Sequence, residues 1–187
     1  TGDITFTSKA SDSGLISVLA DAVLELFFDE AILALSDAKI DLTGATLNGD
    51  NITLNATSSV NLNTSGFSVT SITVAVAYVD ADAAVILDGT QISATGNLKI
   101  AAKTDSVATA TLDASSLSTD TKTDAAIAVA VIISDANAYV SGNSQLSVAG
   151  DVALSATNTS IASATADGST GGGSAQGASL ALAIVVG

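Results

Sequence analysis

The chain has 187 residues and a formal net charge of −14, with 48% hydrophobic but only 3% aromatic residues and no Pro, Cys, Met, Trp or His. Without His or Cys there is no Ser–His or Cys–His pair, no thiolate metal site and no disulfide framework. With Lys as the only basic residue, five in all, there is no basic patch for nucleic-acid phosphates or an anionic membrane.

Seventeen of the nineteen acids are Asp; the two Glu are Glu25 and Glu30. Asp favours turns because its short side chain bonds the local backbone, so the acidity reads as turn chemistry plus solubility. The longest apolar run, Ala125 to Ile133, is far short of a transmembrane helix, and the aromatic girdles of membrane-barrel strands are missing. Membrane insertion is therefore not expected.

In chain order, the first element is Gly2-Asp3-Ile4-Thr5-Phe6, an alternating strand. Next, Leu15, Val18, Leu19, Ala22, Val23, Leu26 and Phe27 fall at helical spacing. Strand is the preferred reading here, with a short helix near 15–28 as the alternative, because the equivalent stretches further on read as strand. A strand then runs from Ala38-Lys39-Ile40 to a turn at Gly44 and on to Leu47. At Gly49-Asp50-Asn51-Ile52-Thr53-Leu54 the opening phrase returns, and it returns again at Gly96-Asn97-Leu98-Lys99-Ile100 and Gly150-Asp151-Val152-Ala153-Leu154. The first apolar positions, Ile4, Ile52, Leu98 and Val152, are 48, 46 and 54 residues apart. The phrase before each return also recurs, at Ala84-Val85 to Ile92 and Ala138-Tyr139-Val140 to Leu146, with turns at Asn48-Gly49, Asp88-Gly89 and Ser141-Gly142.

These returns define four repeats, approximately 1–48, 49–95, 96–149 and an incomplete 150–187, in one continuous unit. The pattern is under way at the start and stops inside a repeat, as expected of a window from a longer array. The expected fold is all-β: a right-handed parallel β-helix, or β-solenoid, built from repeats of about 46–54 residues. About five short strands fit each repeat, and two coils of roughly 24 residues account for them better than one, giving about eight coils and a rod of roughly 40 Å. Alternation about Thr53, Lys99 and Ala153 points Ile52, Leu54, Leu98, Ile100, Val152 and Leu154 inward and Lys99 to solvent.

A small-apolar run is the third recurring phrase, at Ile72 to Tyr78, Ala126 to Ile132 and Leu180 to Val186. Polar residues are expected at alternate positions of a half-exposed strand, yet here the alternates are Ala75 and Ala77, Ala128 and Ala130, and Ala181 and Ala183. These six alanines are read as an outward, methyl-lined self-association face. Either an intervening segment (105–124 or 157–178) covers it or a second solenoid packs there and bundles rods laterally.

The candidate metal ligands are Asp80 and Asp82 with Asp88, three hard oxygen donors for calcium near one turn. The bland alternative is solvated turn Asp. Neither the EF-hand spacing nor a calcium nonapeptide is present; Gly171-Gly172-Gly173-Ser174 does not fit the latter. Thr pairs at i, i+2, such as Thr5/Thr7, Thr109/Thr111 and Thr157/Thr159, fall at unlike places in the repeat and are not expected to stack into an ice-binding array. No catalytic residues emerge, and calcium is the one cofactor considered; a polysaccharide-acting β-helix enzyme is the further alternative, because parallel β-helices host such enzymes, but the Arg, His and aromatic sugar platforms that those sites add are scarce here.

The phrase from Ala138 to Ala156, the Gly-rich 171–173 and the run from Ala178 to Val186 resemble the repeats of giant bacterial surface exoproteins: filamentous-haemagglutinin-like, leukotoxin-like and autotransporter-passenger-like β-solenoids. The resemblance is compositional and covers nearly the whole chain. It implies export to the bacterial cell surface and a structural or adhesive role, with self-association, neighbouring repeats, or a host-cell or glycan surface as partner. The alternative is a calcium- or glycan-binding surface module.

Overall fold

Strict two-residue alternation produces long strands. The computed structural model describes residues 2–12, 30–66, 72–113, 123–168 and 176–187. Among them are eleven β-strands and no helix. The stretch 15–28, read as strand or short helix, lies outside the described residues. Each period supplies two long strands and one short one. These are β1 (Ile4–Asp12), β2 (Glu30–Thr43) and β3 (Thr46–Gly49); β4 (Ile52–Gly66), β5 (Ile72–Asp88) and β6 (Gln91–Ala94); β7 (Leu98–Asp113), β8 (Thr123–Ser141) and β9 (Gln145–Val148); then β10 (Val152–Asp167) and β11 (Gln176–Val186).

Three all-parallel sheets result, in the orders β1-β4-β7-β10, β2-β5-β8-β11 and β3-β6-β9. Ile4 pairs with Ile52, Ile52 with Leu98 and Leu98 with Val152, so the sequence period is the register of the sheet. This corrects the expectation of two coils per repeat: one period makes one layer. The four layers are separated by three strand spacings, about 15 Å in all, not the roughly 40 Å of eight coils. The structure has three strands per complete period where about five were expected, and the polar stretches Asn55 to Ser59 and Asp80 to Asp82 do not interrupt them. In the structure the strand runs through both, since the inward positions there, Ser58 and Ala81, are small and buried.

Two glycine-bearing and Asx-bearing corners repeat with the layers. Gly44, Gly89 and Gly142 have φ of 62°, 58° and 64°, the left-handed region that costs glycine nothing. They turn the chain from the second sheet into the third, and their peptides stack: Gly44 N donates to Asp88 O at 2.8 Å and Gly89 N to Ser141 O at 3.2 Å. At the entry to the first sheet the residue before each first apolar position forms a ladder. Asn51 N donates to Asp3 Oδ1 at 3.1 Å, Asn97 N to Asn51 Oδ1 at 2.9 Å and Asp151 N to Asn97 Oδ1 at 2.8 Å.

The interior has two apolar compartments of different calibre. Where all three sheets meet it is filled by large residues, including Ile52, Leu54, Val85, Leu87, Ile92, Leu98 and Ile100. Where only the two long sheets face each other it is filled largely by alanine: Ala75, Ala77, Ala128 and Ala130 from one, Ala108 and Ala110 from the other. Small side chains on both inner faces permit an approach closer than the usual ~10 Å between sheets. The inward reading of Ile52, Leu54, Leu98 and Ile100 holds, at 0–1% exposure, with Lys99 exposed. Val152 and Leu154 take the same register positions but are 54% and 52% exposed, because β10 is the outer strand of its sheet.

A polar seam separates the compartments. Ser36, Ala81 and Ser134 share one register position, Ser58, Thr104 and Asn158 the facing one. Ser58 Oγ donates to Ser36 Oγ at 2.8 Å; Thr104 Oγ1 and Ser134 Oγ donate to Asn158 Oδ1 at 2.9 and 3.0 Å; Asn158 Nδ2 donates to Ser134 O at 2.7 Å. Hydrogen bonding is what makes these hydroxyls tolerable inside. Ser106 and Thr73 are the exceptions: their hydroxyls are buried with no partner among the described residues.

Candidate interaction surface

The six alanines do not form an outer face. Ala75, Ala77, Ala128 and Ala130 are 0% exposed and point into the two-sheet compartment. Ala181 and Ala183 continue the same register rows on β11, where they are exposed because β11 is the outer strand. The phase is the reverse of the sequence reading: alanine fills most of the positions between the two long sheets at these rows, and the larger alternates are turned out.

Those alternates make the outer surface. Val74, Ile127 and Leu180 share one row, Val76, Val129 and Leu182 the next, then Tyr78, Val131 and Ile184. Strand β2 adds Leu33 beside Tyr78 and Leu35 beside Asp80. On the inner strands these side chains are half-buried by one another; on the outer ones they are open, with Leu35 47%, Leu180 56% and Leu182 44% exposed. Sequence reasoning found this strand but chose the wrong side of it. The signal was the alternation of Ala with Val, Ile or Leu, which says that two sides differ and not which is inside.

Beyond the apolar rows the same sheet turns acidic. Asp37, Asp82 and Asp135 lie in one register row, with Asp80 two residues before Asp82 on the same side. Asp135 N donates to Asp82 Oδ1 at 3.2 Å. Even so, the Asp82 carboxyl is pushed above its ordinary 3.8, first by desolvation and then by the like charges of Asp80, Asp135 and Asp37. Asp88 stands six residues further along β5, about 20 Å from Asp82 at ~3.3 Å per residue. The structure therefore does not bring Asp80, Asp82 and Asp88 together. Among the described residues no three His, Cys, Asp or Glu side chains are grouped to hold a metal.

The remaining charged contacts are local and exposed. Lys39 Nζ lies 2.9 Å from Asp41 Oδ2, and Lys103 Nζ 2.5 Å from Asp105 Oδ2. Asp41 is held below its usual value by Lys39 and Thr43, and Asp3 by the Asn51 backbone and side-chain amides. The Thr pairs do not stack: Thr5 is in register with Thr53 and Lys99, Thr109 with Asn63 and Ser163. A shallow hollow of about 460 Å³ at the edge between β10 and β11 is lined by Asn158, Ser160, Val185 and Gly187, the mouth of the polar seam. The arrangement stacks layers and presents one apolar face bordered by carboxylates. Comparison with protein-family models, curated proteins and solved structures finds no match.

Proposed function

We propose that the chain is a segment of a right-handed β-solenoid with a structural or adhesive role in a large secreted or cell-surface protein. The observation that carries this reading is the identity of sequence period and sheet register: each period adds one layer of two long strands, and each complete period repeats both corners. Right-handedness follows from the strong preference of parallel crossovers for that hand. A fold that repeats its layer supplies length, stiffness and a repeated surface, which suits a rod better than a catalyst. Protease shaving of intact cells, followed with an antibody to this chain, tests the location. Loss of the signal without lysis is expected; a signal that survives shaving and fractionates with cytoplasm contradicts it.

A calcium-binding surface is the second reading. The observation favouring it is the register row Asp37, Asp82 and Asp135, one carboxylate per layer along the sheet and not a grouped site, beside which a cation would offset like charge. Melting with calcium and with chelator separates the two: a calcium-dependent rise in Tm supports the second reading, an unchanged Tm the first.

A further inference from the structure

We propose that the outer face of the β2-β5-β8-β11 sheet binds a second copy of this chain, sheet against sheet, about a two-fold axis parallel to the direction in which the layers stack. The proposal deepens the structural role above and rests on its layered fold, not on its cellular location.

Area is the first argument. Four strands at ~4.8 Å and four outward positions at ~6.8 Å cover roughly 500 Å² per molecule, and two such faces about 1,000 Å², the size at which a specific interface becomes tenable. Across the outward positions from Val74 to Asp80 and their register partners, Asp80 is the single charged residue among those described. Among the described residues the centre is apolar and charge borders it on one side, which is the anatomy of an interface. The faces are self-complementary in pitch, because both carry the same strand spacing. Sheets packed this way align their strands to within about 30°.

Charge then selects the orientation. Asp37, Asp82 and Asp135 border the patch at its C-terminal side along the strands. A two-fold axis along the strands would lay one acidic row over the other. An axis along the stack reverses the strands of the partner and sends the two rows to opposite edges, which removes the like-charge contact. The face is made by the Val, Ile, Leu and Tyr alternates and not by the buried Ala75, Ala77, Ala128 and Ala130, so its substitutions do not enter the core.

The test uses sedimentation equilibrium of the whole chain, followed by pair distances from spin labels; the sequence has no Cys, so single labels are clean. The wild type is expected to dimerise at tens of micromolar and more tightly at 0.5 M NaCl, since net charge opposes the contact. A monomer at 200 µM in high salt overturns the proposal, whether its face is covered by its own chain or left bare. Val129→Lys is expected to weaken dimerisation at least tenfold with an unchanged β-type circular dichroism spectrum. If that variant does not fold, Val129→Thr carries the comparison, with a smaller loss expected. Undiminished dimerisation in the folded variant overturns the face. With the label on Asp82→Cys, the stack-parallel axis puts the two labels about 35 Å apart, five residues from the axis on each side, whereas the strand-parallel axis puts them within about 15 Å. The short distance overturns the orientation. A helical or unfolded spectrum for the wild type would instead overturn the layered fold itself.

Discussion

Neighbouring residues on one strand have opposite fates. Ala128 is sealed between two sheets, and Val129 beside it looks outward. Ala128→Glu is expected to cost several kcal/mol, because it places an unpaired charge where nothing can solvate it. Val129→Glu is expected to leave the melting temperature nearly unchanged. Thermal melts of the pair check this, and a reversed order would return the alanines to the surface. A gain is expected at Thr73, whose buried hydroxyl has no partner among the described residues. Thr73→Val keeps the shape and removes an unsatisfied donor, and should stabilise by about 1 kcal/mol in a urea titration.

Asp82 carries a pH signature. Its folded-state pKa is raised, so the native state holds the proton more tightly than the unfolded chain does. The associated stability is full below the ordinary carboxylate value of 3.8 and is lost as pH rises through the folded value. Asp82→Asn should therefore melt higher than wild type at pH 7 and lose that advantage near pH 3. Asp3 and Asp41 are shifted the other way, so their contribution is present at neutral pH and lost on acidification.

At the scale of elements, both corners make separate predictions. Gly89 has φ of 58°, and a Cβ there would sit 3.3 Å from Gly142 O. Gly89→Ala is expected to cost about 1–2 kcal/mol by chemical denaturation, from the left-handed backbone alone. Asn97 caps the layer above through Oδ1, so Asn97→Ala should cost about 1 kcal/mol and speed amide exchange at Asp151. The strand cores were legible in sequence where apolar and polar residues alternate, as around Thr53 and Lys99. They were not legible where both alternates are apolar, because side then depends on the distance to the facing sheet, which no local pattern encodes. Layer number was obscured for a related reason: Ser58, Thr104 and Ser134 look like loop residues but are hydrogen-bonded inside. The Asx ladder was visible all along as Asp3, Asn51, Asn97 and Asp151, each directly before the first apolar residue of its period.

For the whole molecule, stability is distributed along the stack. Each inner layer is buried by the ones on either side, as Ile52 to Leu54 and Leu98 to Ile100 are, while the outer strand β10 leaves Val152 and Leu154 open. Such an array gains stability layer by layer, so its repeats cannot be expected to fold singly. The row of Asp37, Asp82 and Asp135 beside the apolar face restricts how two molecules meet. The Asp80, Asp82 and Asp88 grouping failed at this scale because residues close in sequence are far apart on an extended strand.

One layer per sequence period is the claim on which the rest depends. Thr5, Thr53, Lys99 and Ala153 occupy one register row, and Thr5 and Ala153 are both exposed. Spin labels on Thr5→Cys and Ala153→Cys, magnetically diluted with unlabelled chain, measure the three intervening spacings directly. The account predicts backbone positions about 15 Å apart; a separation near 30 Å, as two layers per period would give, would contradict it.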